Sequence, residues 1–211
     1  LACMVDRINR ERDGHIVTIE DPIEYIHNHQ RSLVSQRDVP NDAPTFPRAL
    51  RAALRQAPDV IMLGEMRDLE TIRTAMTAAE TGHLLLATLH TKGAVNTVDR
   101  IIDTFPPEQQ NQIRIQLGSV LQTVVCQQLL PSVDGKRIPA FEIMNMTNAV
   151  RSLIRDSKTH QIDNVIAAGA ADGMVSMDQS IFNLFRAGKI TAETALAYAF
   201  NEDQMRRRIG R

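Results

Sequence analysis

The chain has 211 residues, a formal net charge of −1, 43% hydrophobic residues and 23% charged residues. That is the composition of an ordinary globular chain with room for one sizeable core and a smaller appended unit. Near-neutral charge gives no general pull toward nucleic acid or anionic lipid, and 4% aromatics without Trp disfavours a base-stacking surface.

No apolar run approaches the roughly 20 residues of a membrane span, and the stretch from Leu1 to Arg12 is too charged for a signal peptide. Cys3 and Cys126 lack Cys-x-x-Cys spacing and are expected to be reduced, buried thiols of a cytosolic protein. The first residues, with Val5 and Ile8 among Arg and Glu, read as the tail of an amphipathic helix ended by Asp13-Gly14, so the chain reads as a fragment. His15 to Ile19 is a strand. Tyr25 to Pro47 is a long connection. Ala49, Leu50, Ala53 and Leu54 mark one face of a helix that stops at Pro58. Val60 to Leu63 is a second strand, and Asp68 is placed to cap a helix over Leu69 to about Glu80, with Gly82 as its stop. His83 to Leu89 is a third strand, followed by a helix around Val95, Val98, Ile101 and Ile102. This alternation predicts an α/β fold with a parallel sheet and right-handed crossovers.

Pro106-Pro107 is expected to open a helix running to about Leu130. Lys136 to Met144 reads as an edge strand, since Pro139 argues against a central position. Helices then follow from Ala149, over Met177 to Ala187 and over Ala192 to Ala199. The natural division gives a core over 1–145 and a helical appendage over 146–211. The basic tail from Met205 to Arg211 is expected to be cations at a helix C-terminus.

Both of the first two strands end in acid. Thr18-Ile-Glu-Asp-Pro-Ile-Glu-Tyr25 and Asp59-Val-Ile-Met-Leu-Gly-Glu-Met-Arg-Asp68 would bring Glu20, Asp21, Glu24 and Glu65 to one rim, where open parallel sheets bind ligands. Taken alone, the acidic turn is a capped, solvated turn; two such strand ends together suit a divalent cation and an oriented water. Gly64 permits close backbone approach, and Arg67 offers a planar donor fork for phosphate or carboxylate. The third strand ends in His90-Thr91 on the same rim, while His83 lies at its other end. His27-x-His29 as a metal pair, or a Ser/Cys/His triad, has no supporting spacing. No Gly-rich loop ending in Lys-Ser/Thr occurs anywhere in the chain.

These segments carry a resemblance. The run from Thr18 to Tyr25 resembles the aspartate box of the type II/type IV secretion ATPases. The run from Asp59 to Ile72 resembles their Walker B segment, and Thr81 to Thr91 their histidine box. Ala149-Val-Arg-Ser-Leu-Ile-Arg-Asp156 resembles the C-terminal motif of the pilus-retraction, or twitching-motility, branch. The four-cysteine insertion of the extension ATPases is absent. The resemblance implies a RecA-like parallel-sheet ATPase core with a helical C-terminal appendage, working as a homohexamer on ATP and Mg²⁺. It further implies a cytoplasmic motor at the inner face of the plasma membrane, with an inner-membrane pilus platform protein as partner and no nucleic acid.

Carried residue by residue, Glu24 matches the water-activating glutamate. Glu65 matches the Walker B glutamate acting through Mg²⁺, with Glu20, Asp21 and Arg67 beside the nucleotide. His90 and His83 match histidine-box residues that respond to nucleotide. Arg151, Leu153, Ile154 and Arg155 fall in the motif that couples hydrolysis to motion. Arg51, Arg55, Arg67 and Arg73 are candidates for the arginines that complete such sites. The family's P-loop and the PAS-like domain before it do not occur in this chain, so the fragment alone is expected to be inactive. Two other readings stay open: a DNA-directed RecA-like motor, marked by a basic channel, and a pilus-platform assembly module that does not hydrolyse ATP.

Overall fold

The computed structural model describes residues 1–210. They form two compact units, Leu1–His90 and Thr91–Arg211. The division read from the sequence after Asn145 falls inside the second unit.

The first unit is a parallel sheet covered on both faces. Its elements are α1 (Ala2–Glu11), β1 (Gly14–Glu20), β2 (Ser32–Asp38), α2 (Phe46–Ala53), β3 (Val60–Leu63), α3 (Leu69–Glu80) and β4 (Leu84–Ala87). The strand order is β2-β1-β3-β4, all parallel. Side chains alternate across it as the pleat requires. Ile16, Val60 and Met62 pack with Val5 on one face, while Val17, Ile19, Ile61 and Leu63 pack with Leu50, Ala53, Ala75 and Ala78 on the other. Both faces are buried, which is why β1 and β3 read as short continuous apolar runs. The side chain of Asp68 accepts from the Thr71 amide at 2.8 Å and caps α3 as expected.

β2 is a correction. It lies within the stretch taken as a connection, pairing in parallel with β1 from Gly14↔Ser32 to Glu20↔Asp38. As an edge strand it buries Ser32 and Val34 while Leu33 stays exposed, so its sequence, Ser-Leu-Val-Ser-Gln-Arg-Asp, shows no apolar run.

In the second unit α4 (Ala94–Asp103) and α5 (Pro107–Val120) precede the antiparallel hairpin of β5 (Thr123–Pro131) and β6 (Arg137–Asn145). The helix expected to reach Leu130 therefore stops at Val120, and β-branched Thr123-Val124-Val125 begins a strand instead. Pro139 lies in β6, whose only strand partner is β5; on its other side β6 makes one isolated bridge, Ile143↔Val175, so Pro139 itself is paired on one side, in keeping with a non-central position. The helices α6 (Asn148–Arg155), α7 (Ile162–Ala168), α8 (Met177–Arg186), α9 (Ala192–Tyr198) and α10 (Glu202–Ile209) complete the unit. Leu130 and Ala140 of the hairpin share one core with Met177, Ile181, Ile190, Ala195 and Met205, so hairpin and helices are packed as one body. The basic tail forms the last turn of α10, where Arg206, Arg207 and Arg208 meet the negative end of the helix dipole; Arg211 lies outside the described residues.

Candidate functional site

The parallel registers Ile19↔Leu63 and Leu63↔Ala87 bring the C-terminal ends of β1, β3 and β4 to one rim. Gly64 extends the β1–β3 ladder by donating its N–H to the Ile19 carbonyl at 2.8 Å. A Cβ at Gly64 would sit 3.3 Å from both Glu20 Cα and the Ile19 oxygen, so the close approach depends on glycine. The Thr88 hydroxyl donates to the Gly64 carbonyl and the Met66 amide donates to the Thr88 carbonyl at 3.0 Å, tying the turn that delivers Glu65 to β4.

Glu65 is only 8% exposed. Arg67 Nε lies 2.5 Å from its Oε2 and His90 Nε2 3.3 Å away. Those ion-pair distances lack hydrogen-bonding geometry, and Oε2 is buried without a hydrogen-bond partner. The side chains of Arg67 and His90 are mostly exposed, so each can also reach a group in the cleft.

Glu20 is buried differently. Its Oε1 accepts from Thr18 Oγ1 at 2.6 Å and from Gln36 Nε2 at 3.2 Å. Gln36 also donates to the Tyr25 carbonyl at 2.9 Å, and its Oε1 accepts from the His27 amide at 2.8 Å. Asp38 accepts from the Ile23 amide at 3.2 Å. Gln36 and Asp38 therefore hold the loop that carries Glu24. Sequence reasoning missed both, because their only signal was the faint alternation of β2.

Glu20, Asp21, Glu24, Glu65, Arg67 and His90 line one cleft of about 790 Å³, with Asp21 and Glu24 exposed. That volume falls in the range of small-molecule sites, roughly 300–1,000 Å³. The expected rim is thus assembled within the first unit. His83 stands apart at the start of β4, its Nδ1 3.0 Å from the Ala78 carbonyl and 3.2 Å from Thr81 Oγ1 at the end of α3. His27 faces the cleft, but His29 Nδ1 accepts from the Val34 amide at 3.1 Å, so the two histidines serve different partners. Of the other candidate arginines, Arg51 pairs with Glu70, Arg55 is exposed in the turn after α2, and Arg73 is exposed on α3.

Among the described residues no group of three or more His, Cys, Asp or Glu is arranged to hold a metal ion by itself. The Glu65 oxygen without a hydrogen bond fits the other way of binding Mg²⁺, in which one carboxylate, directly or through water, joins substrate phosphates. The cysteines differ from expectation. Cys3 is exposed at the cleft, and Cys126 is half-buried, its thiol pushed up to about 11 by desolvation and by the nearby Glu142 carboxylate.

In the second unit, the segment from Ala149 to Asp156 spans α6 and its C-cap. Val150 and Ile154 are fully buried and Leu153 half-buried. Arg151 donates to the Gly118 carbonyl, with Ser119 O at 3.4 Å, and so satisfies the C-terminal end of α5. Arg155 is exposed, its partners being Ser152 and Asp156, each at 3.3 Å.

Residues 1–171 match the family model described as type II/IV secretion system protein. The twitching motility protein of Neisseria gonorrhoeae is 48% identical over 206 residues, which are 97% of this chain and 55% of that protein. The type IV pilus retraction ATPase PilT of Pseudomonas aeruginosa is 48% identical over 195 residues, 92% of this chain and 57% of that protein. Among solved structures, the pilus retraction motor PilT with bound ADP superposes with a TM-score of 0.91 at 46% identity, covering 98% of this chain and 58% of that one. The X-ray structure of the Legionella pneumophila ATPase DotB superposes at 0.83 with 28% identity, over 92% of this chain and 54% of that one. The chain thus spans just over half the length of these relatives. With the acidic strand ends, the histidine-bearing strand and the fold all agreeing with this match, the chain belongs to the type II/IV secretion system protein family.

Proposed function

We propose that these residues are the catalytic half of an ATP-hydrolysing motor that drives type IV pilus retraction. The observation that carries the reading is the buried Oε2 of Glu65, without a hydrogen bond and within ion-pair distance of the mostly exposed Arg67 and His90, in a cleft shared with Glu24. The ADP bound to the similar retraction motor supports a nucleotide as the ligand. The resemblance supports a homohexamer on the cytoplasmic side of the inner membrane, acting on a platform protein. No helix among the described residues is long and apolar enough to cross a membrane. Hydrolysis is assigned to the full gene product, since the 211 residues hold no Gly-rich loop ending in Lys-Ser/Thr.

In this mechanism Glu24, held at the cleft mouth by the Gln36 bonds to its loop, accepts the proton of a water and aims it at the terminal phosphate. Glu65 would hold Mg²⁺, directly or through a water, and the ion would supply positive charge to offset that of the phosphate oxygens. Arg67 and His90 are released from Glu65 to face phosphate, Arg67 supplying positive charge and His90 a ring nitrogen where negative charge develops. Glu20, fixed by Thr18 and Gln36, keeps the strand end and loop in register.

The test is Glu24→Gln in the full gene product. Nucleotide affinity is expected to hold while hydrolysis falls by about 10²–10⁴-fold, the usual contribution of a positioned proton acceptor. Near-normal turnover would mean that another carboxylate activates the water.

A further inference from the structure

Six of the helices begin with a side chain capping their own first turn, among them α6 through Thr147, α8 through Ser176 and α10 through Asn201. The helix α4 does not. Its N-cap is Gly93, at φ +89°, with no side chain to offer. The missing acceptor comes from far along the chain. Glu142 on β6, 4% exposed, accepts the Ala94 N–H through Oε1 at 2.7 Å. Its other oxygen, Oε2, accepts the Met177 N–H at the start of α8 at 3.3 Å. One buried carboxylate therefore stands between two helix N-termini, where a negative charge meets the positive ends of both dipoles. A Cβ at Gly93 would lie 3.7 Å from Glu142 Oε1, in ordinary van der Waals contact with the carboxylate. The turn is further braced by Thr97 Oγ1, 2.9 Å from the Gly93 carbonyl and 2.8 Å from Thr91 Oγ1.

The turn held in this way follows His90-Thr91 directly in the chain. We propose that Glu142 is a positioning residue that joins the start of α4 to the start of α8 and passes a displacement of the His90-Thr91 strand end to the C-terminal helices. The proposal rests on the nucleotide-driven reading above. It gives the buried acid a task that filling space does not require: an apolar side chain of similar volume would pack β6 against α8, but it would leave both amides without an acceptor. The link is also selective. Ser176 still caps α8 at the Gln179 amide, so loss of the Glu142 bond frees only the first N–H of that helix.

The experiment is hydrogen exchange on the full gene product, with and without Mg-ADP, reading segments 18–25, 60–68, 93–97 and 176–180. In the unmodified protein all four segments are expected to change protection on adding nucleotide. Glu142→Gln is nearly isosteric, but its amide oxygen accepts from only one of the two amides while its NH₂ faces the other. In that variant 18–25, 60–68 and 93–97 are expected to respond still. The nucleotide response at 176–180 is expected to vanish, with protection there lower by about tenfold. Glu142→Asp keeps the charge and shortens the reach by one methylene; it should uncouple in the same way, and it decides the matter where the Gln variant does not fold. A response at 176–180 retained in these variants would overturn the link while leaving the nucleotide reading in place. No response at 18–25 and 60–68 in the unmodified protein would overturn the nucleotide reading itself, and the link with it.

Discussion

Glu65 in the first unit and Glu142 in the second are glutamates of nearly equal burial, 8% and 4% exposed. Their surroundings are opposite. Both oxygens of Glu142 accept backbone N–H groups, whereas Oε2 of Glu65 has no hydrogen-bond partner. A buried polar atom left unpartnered costs about 1–3 kcal/mol, and a charged one more. Glu142 thus fits a link within the protein. Glu65 fits a group held ready for a ligand that completes its shell, at a standing cost to stability.

The sharpest way to break the comparison is to remove the charge from each acid. For Glu65→Gln, hydrolysis by the full gene product is expected to fall by about 10–100-fold, the usual range for a group that acts on a metal through its bound water. The loss should shrink as Mg²⁺ or Mn²⁺ is raised, because the defect lies in holding the ion. The unfolding midpoint without nucleotide should change little, since the lost ion pair is to the mostly exposed Arg67 and a buried charge without a hydrogen bond disappears with it. A metal-independent loss would remove Glu65 from the ion's neighbourhood.

Glu142→Gln should do the reverse, leaving the cleft residues untouched and costing about 1–3 kcal/mol of stability, because one helix N–H now faces an amide donor. Its pH dependence is a second signature. Burial pushes the Glu142 carboxyl above the ordinary glutamate value; the Ala94 and Met177 amides oppose this, and the nearby Asp163 and Asp178 charges add to it. The folded state therefore binds the proton more tightly than the unfolded chain. Its contribution to stability is fully present below the unfolded glutamate pKa and is lost as pH rises through the raised folded value. Urea melts across that window should show the difference between unmodified protein and Gln variant falling with pH. A flat difference would mean that the carboxyl titrates normally.

How much of this was legible in the sequence follows from how each feature is encoded. Val60-Ile-Met-Leu63 and the helix capped by Asp68 announce themselves because both sheet faces are buried and the cap is local. The acidic strand ends and His90 were likewise visible, since a parallel sheet carries its strand ends to one rim. β2 escaped because an edge strand needs few apolar residues, and with it went Gln36 and Asp38, which hold the Glu24 loop. β5 reads as a continuation of helix because its half-exposed alternation follows α5 after only Leu121-Gln122, with no Pro to break the run. Glu142 was invisible for a different reason. Its partners lie 48 and 35 residues away, and nothing local in Phe-Glu-Ile marks a residue whose acceptors serve two distant helix starts.

The same criterion of partnership separates two arginines of one motif, with the smallest expected effects. The sequence alone treats Arg151 and Arg155 as equivalent, four residues apart on α6. In the structure Arg151 is bound to carbonyls of the last turn of α5, and Arg155 reaches only its own neighbours Ser152 and Asp156. Arg151→Gln is therefore expected to cost about 1 kcal/mol, one hydrogen bond that satisfied a helix end. Arg155→Gln should change stability by no more than about 0.5 kcal/mol. That makes Arg155 the cleaner probe of the coupling role implied by the resemblance to the retraction branch. Hydrolysis by the Arg155→Gln protein is expected to stay near normal while pilus retraction, read as twitching, is impaired. Normal twitching by that variant would confine the segment to packing, through Val150, Ile154 and the Arg151 bond to α5.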